Sequence, residues 1–172
     1  YLSPDDIMKH GMLFFFYACI LAAGSLAQQS SLILLGDLHY DRLEDHHMDW
    51  LNDKPDDLRQ DLEYTKLTEE HWEDFMTVLR KKAGCKDFPA IAMLQAGDLS
   101  QGLAGSDAKA RQMALHTMEA IEASRMPAPW IIAKGNHDIT GPGAEAAFQE
   151  YYVPMFRIQT GKQIYWLYLW KV

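Results

Sequence analysis

Three short clusters in this 172-residue chain carry side chains that bind metals and move protons. They are Gly36-Asp37-Leu38-His39, Gly97-Asp98 and Gly135-Asn136-His137-Asp138. An aspartate and a histidine two residues apart in a turn can hold one ion, pairing a hard oxygen with an imidazole nitrogen. Alone that spacing is weak evidence, because it arises often by chance. A single carboxylate such as Asp98 can bridge two ions. A histidine with a neighbouring carboxylate, as in His137-Asp138, suits general acid chemistry near neutral pH.

The elements that must position these clusters are legible around them. Each cluster closes a short apolar run, at residues 32–35, 91–96 and 130–133. Runs of this length between turn signals suit strands buried on both faces. Helical spacing separates them. Trp72, Phe75, Met76 and Leu79 follow i, i+3, i+4, i+7, with Thr68 as the expected cap and Gly84 as the stop. Ala110, Ala114, Met118 and Ile121 form a second stripe capped by Ser106. A third short helix is expected from Ala144 to Tyr152, between Gly143 and Pro154. Alternating strands and helices imply right-handed crossovers and a parallel sheet. Ligand sites in such sheets lie beyond the carboxyl ends of the strands. Glycine lets the chain turn sharply there, so Asp37, Asp98 and Asn136 should converge on one edge.

Taken in order, GDLH, GD and GNHD resemble the signature of the calcineurin-like metallophosphoesterases: D-x-H, then G-D, then G-N-H-[DE]. The resemblance spans residues 32–138. It implies an α/β fold, a layered β-sandwich core flanked by helices, and a phosphoester hydrolase with two divalent metal ions. Manganese, iron and zinc all suit mixed oxygen and nitrogen ligands. Carried over, Asp37 and His39 hold the first ion, Asp98 bridges and Asn136 binds the second. His137 protonates the leaving oxygen and Asp138 orients it. The implied partner is a phosphoester small molecule or a phosphorylated substrate.

Two departures stand out. Family members often follow G-D with an acidic or amide residue and then arginine, whereas here the text is Gly97-Asp98-Leu99-Ser100-Gln101-Gly102. The family also supplies downstream histidines in G-H and G-H-x-H segments, and these 172 residues contain no histidine after His137. The expectation is therefore a truncated metallophosphoesterase. The alternative is an inactive metal-binding module with the same fold. A nucleotide-binding α/β protein is disfavoured, since no G-x-G-x-x-G or G-x-x-x-x-G-K follows a strand.

Composition sets the remaining bounds. A hydrophobic share of 48% and a charged share of 23% fit one ordinary globular domain. A net charge of −8 argues against nonspecific binding to nucleic acid or anionic membrane. It leaves room for an anionic substrate, because a bound metal outweighs local carboxylates. Residues 12–27 form an apolar run behind Lys9 and His10, shorter than the roughly 20 residues of a membrane span. Ending on Ser25-Leu26-Ala27, it reads as a signal peptide cleaved before Gln28. The expected organisation is a leader at 1–27 and a metallophosphoesterase domain at 28–172, exported to the periplasm or secreted, with no membrane span after cleavage. Cys19 leaves with the leader, and Cys85 remains as a lone thiol. Residues 41–61 read as a solvated loop and helix start, with His46 and His47 on the surface. His10, His71 and His116 are assigned no chemistry, and Lys134 is expected to reach solvent. Residues 164–170 read as a further strand.

Overall fold

The three apolar runs become strands β1 (Ser31–Leu35), β2 (Ala90–Gln95) and β3 (Trp130–Ile132). They pair in the order β1-β2-β3, both pairs parallel. The computed structural model describes residues 29–154. The leader, with Cys19 and the junction before Gln28, and the apolar stretch 164–170 lie outside the described residues.

Register decides which side chains meet the helices. Ile33, Met93 and Trp130 are aligned across the sheet, as are Leu35, Gln95 and Ile132. These belong to the face covered by helix, where Met93, Gln95, Trp130 and Ile132 are buried. The opposite face presents Leu32, Leu34 and Ile131, and Leu34 is 66% exposed. The expectation of strands buried on both faces is thus met on one face among the described residues.

Two helices supply that cover, α2 (Pro55–Ala83) and α3 (Asp107–Ala123), while a single turn, α1 (Met48–Leu51), precedes them. Met76 and Leu79 of α2 join Met113, Met118 and Ile121 of α3 in one cluster with Met93 and Trp130. Helix α2 begins at Pro55 and not at the expected Thr68. Proline presets the helical φ at the first turn, where its missing N–H costs nothing. Asp56 and Asp57 in the first turn and Arg80, Lys81 and Lys82 in the last complement the helix dipole. Gly84 ends the helix as expected, its N–H donating to the Arg80 carbonyl at 3.0 Å. Ser106 caps α3 by accepting from the Lys109 N–H at 3.3 Å. The third helix is a short α4 (Ala144–Ala147) that widens into a π turn over Phe148–Tyr152, burying both aromatic ends. Among the described residues no helix is long and apolar enough to cross a membrane.

The core should respond to truncation where the sheet meets α2 and α3. Met93→Ala should lower stability by about 2–5 kcal/mol, whereas Val78→Ala, at a site 58% exposed, should stay within about 0.5 kcal/mol. Urea unfolding followed by tryptophan fluorescence measures both. Equal effects would show that the buried face is misassigned.

Candidate metal centre

Beyond the strand ends the chain enters left-handed backbone at Asp37 (φ 48°), His39 (φ 45°) and Asp98 (φ 57°). For residues with a Cβ this region is sparsely populated and persists only where the surroundings enforce it. Here the β1 and β2 turns enforce it by pairing with each other. Asp37 N donates to Gly97 O (3.3 Å), His39 N to Asp98 O (3.0 Å) and Tyr40 N to Leu99 O (2.8 Å). The Gln95 side chain bridges its own turn, accepting from Gly97 N and donating to Gly97 O, both at 2.7 Å. Gly97 has φ 115°, and a Cβ there would stand 2.8 Å from the Gly135 Cα. A Cβ on Gly135 would fall onto the Asp98 backbone nitrogen and carboxylate. Glycine is required at both places because the three turns are stacked in contact.

This packing brings Asp37, His39 and Asp98 together, with one ligand atom from each lying within 4.8 Å of the others. His39 is buried, Asp98 half-buried and Asp37 exposed, so the group opens to solvent on the carboxylate side. Asp98 Oδ1 accepts from His137 N at 2.7 Å. The His39 ring is stacked on Tyr64 (4.4 Å, 19°) and meets the edge of His137 (4.6 Å, 84°). Burial, and then the neighbouring His137, lower the His39 pKa, against the pull of Gln101, Asp98 and Asp37. His39 is therefore a neutral imidazole with a lone pair to give. Two carboxylates and a neutral imidazole on a pre-strained frame suit a divalent cation such as manganese, iron or zinc.

Asn136 stands exposed in the third turn, next to the glycine that packs on Asp98. His137 is half-buried, and its Nδ1 lies 2.8 Å from the Gln101 carbonyl. Asp138 departs from its expected part. Its carboxylate does not hold the His137 ring. Oδ2 accepts from Asp98 N (3.0 Å) and Gly135 N (2.9 Å), and Oδ1 from Ser100 N (2.9 Å) and Ser100 Oγ (3.2 Å). The His137 ring faces the Gln101 carbonyl instead. Burial raises the Asp138 pKa, while the Ser100 and Gly135 N–H groups oppose that rise.

Behind the centre lies a buried polar network that the sequence reading missed. His39 Nδ1 is 2.9 Å from Gln101 Oε1, and Gln101 Nε2 donates to Asp61 Oδ1 at 2.8 Å. His46 Nε2 meets Asp41 Oδ1 at 2.8 Å, and its Nδ1 faces Leu103 O at 3.3 Å and Asp61 Oδ2 at 3.4 Å. Thr65 Oγ1 donates to Asp41 Oδ2 at 2.7 Å. Asp41, Asp61 and Gln101 are 0% exposed and His46 is 3% exposed. The expectations of a solvated stretch at 41–61 and a surface His46 are thus corrected, whereas His47 and His71 are exposed as expected. The available signal was polar residues following the first two turns, at Asp41, His46 and Gln101, where a plain loop needs none.

Both ring nitrogens of His46 face oxygens that only accept, so the ring carries both protons. Burial works against that charge, but Asp41 and Asp61 outweigh it and raise the pKa. His116, expected to be inert, pairs with buried Asp45 at 2.7 Å. With Glu44 these two form a second donor group within 4.8 Å, although Arg42 already occupies Glu44 at 2.5 Å. Lys134 pairs with Glu145 at 3.3 Å on the surface.

His46→Gln should expose the cost of this network. Removing the cation leaves buried carboxylates uncompensated, a loss of about 3–5 kcal/mol. Burial raises the Asp61 pKa to about 6. Its native state then favours the protonated form, so the stability it contributes is present below the ordinary carboxylate range and fades as pH rises through about 6. The penalty of His46→Gln should therefore be larger at about pH 7.5 than at about pH 5. Urea unfolding at the two pH values reads the difference, and a pH-independent penalty would contradict this charge assignment.

No curated protein matches the chain. The family model for calcineurin-like phosphoesterases matches residues 30–172. Its span takes in all three ligand turns, and the parallel sheet with flanking helices agrees with that fold. On this match the chain belongs to the calcineurin-like phosphoesterase family.

Proposed function

We propose that the protein hydrolyses phosphoester bonds using a pair of divalent cations held by Asp37, His39, Asp98 and Asn136. The observation that carries this reading is the convergence of the Asp37, His39 and Asp98 donor atoms within 4.8 Å. Family membership supports the metal-dependent phosphoesterase chemistry. When bound, such ions neutralise phosphate charge and supply an activated water for in-line attack.

The chain's own groups do the rest. Asp98 would serve both ions, and the His137 N–H holds its Oδ1 in place. His137 directs its Nδ1 at the Gln101 carbonyl, which leaves Nε2 as the nitrogen that would take up a proton from solvent and pass it to the leaving oxygen. Asp138 keeps the turns in contact through the backbone N–H groups of Asp98, Ser100 and Gly135. Phosphoryl transfer depends chiefly on such positioning and charge neutralisation.

A second reading, a metal-binding module without turnover, has one observation in its favour. The four assigned donors, one of them shared, are few for two ions. On that reading the second ion binds weakly, and turnover is slow or absent.

The test is hydrolysis of an aryl phosphate mono- or diester with manganese after chelation and metal return. The protein should be active and metal-restored. His137→Ala should slow turnover by roughly 10²–10⁴, most for poor leaving groups. Asp98→Asn should lower metal affinity and turnover together. Vigorous, metal-restored activity would refute the second reading. A protein inert with every divalent metal would defeat the proposed activity itself.

A further inference from the structure

We propose that Gln101 is the positioning residue for both histidines of the centre, its side chain fixing His39 and its main-chain carbonyl fixing His137. For His39 this rests on the reading above that it is a metal ligand. Asp61 is a carboxylate, and an ionised carboxylate only accepts. It lies 2.8 Å from one end of the Gln101 amide, so that end is the NH2. The other end, 2.9 Å from His39 Nδ1, is therefore the carbonyl oxygen, which only accepts. His39 must donate to it, so Nδ1 carries the proton and Nε2 keeps the lone pair.

The Gln101 main-chain oxygen, 2.8 Å from His137 Nδ1, also only accepts, and it too holds the proton on Nδ1. One residue thus sets two tautomers and turns both Nε2 atoms away from itself. The His39 plane is further confined by Tyr64 stacked on its face and His137 against its edge. Gln101 and Asp61 are fully buried, so water does not compete for the amide. His46, whose Nδ1 lies 3.4 Å from Asp61 Oδ2, opposes the rise that burial imposes, so Asp61 is anionic above about pH 6. That oxygen has no hydrogen bond of its own, so the link is ionic.

The motif position adds weight. The sequence departs from the family pattern immediately after Gly97-Asp98, and Gln101 lies within that departure. A buried amide here serves the ligand histidine from behind.

The experiment uses the full 172-residue protein, nitrogen-15-labelled and first metal-free. Long-range proton–nitrogen correlation reads which ring nitrogen of each histidine is protonated. The wild type should show His39 and His137 as Nδ1–H. Gln101→Met removes the side-chain acceptor and keeps the main-chain one. His39 should then lose its single tautomer while His137 retains it, a split that general loosening of the core would not produce. Gln101→Glu restores an acceptor and should restore the His39 tautomer. Asp61→Asn, a milder change, should leave His39 a mixture, and it keeps the idea testable if Gln101→Met fails to fold.

Zinc is then titrated alone. Gln101→Met should weaken binding roughly 10–100-fold, as loss of an outer hydrogen-bond partner does, and Gln101→Glu should recover most of that. An unchanged His39 tautomer in both Gln101→Met and Asp61→Asn would overturn the proposal. Wild-type His39 resonances that ignore zinc would instead defeat the metal-ligand reading, with the tautomer result standing apart from it.

Discussion

The Asp138 carboxylate accepts hydrogen bonds from backbone of two strand-end turns at once, from Asp98 and Ser100 on one side and Gly135 on the other. Everything at the centre depends on those turns staying in register. Asp37, His39 and Asp98 all sit in left-handed backbone, a conformation that costs of order 1–3 kcal/mol per residue. Local sequence does not hold such strain. It is held by the ladder between the β1 and β2 turns, by the glycine-to-glycine contact of Gly97 and Gly135, and by this one buried anion. Charge-assisted bonds to N–H groups are about twice as strong as neutral ones, which suits an anion to the task better than an amide.

Placing anions inside a small domain carries a cost, visible in several raised carboxyl pKa values. Burial pushes up Asp45, Asp61 and Asp138. His46 answers part of that for Asp61 and His116 for Asp45, while His46 also pairs with Asp41. Replacing such networks by apolar side chains is often neutral or stabilising in proteins generally, so stability alone does not account for them. What they add here is definition. A carboxylate and an imidazolium admit few arrangements, and Gln101, whose two ends differ only by oxygen and nitrogen, is set by touching one of them.

The sequence was most informative where backbone chemistry is local. Three apolar runs ending in glycine located the strands and the turns carrying Asp37, Asp98 and Asn136. The Ser106 cap and the Gly84 stop were equally readable, because capping is decided within a few residues. The start of α2 was not. Thr68 looked like a cap, but its hydroxyl accepts from Asp41 N at 3.1 Å, a tertiary use with no local signature. Long-range pairing also hid the burial of His46, whose partners include Asp61 and Leu103. Adjacency misled at Asp138, where the neighbouring histidine was the natural partner on paper. A residue in a tight 3-10 turn, as at His137–Ile139, points away from its neighbour, so its carboxylate meets the other turns.

The sheet separates the demands of stability from those of the site. Helices α2 and α3 cover one face, while Leu32, Leu34 and Ile131 leave the other apolar and open among the described residues. Covering that face would stabilise the domain by about 25 cal/mol per Å² of apolar surface removed from water. It would change little at the centre. The donors sit at the carboxyl edge, fixed by hydrogen bonds between turns and by the buried network under α2, all on the side already packed. Ligand geometry and domain stability therefore rest on different surfaces of the same sheet. Substitutions on the open face should affect how long the fold persists before they affect how Asp37, His39 and Asp98 meet.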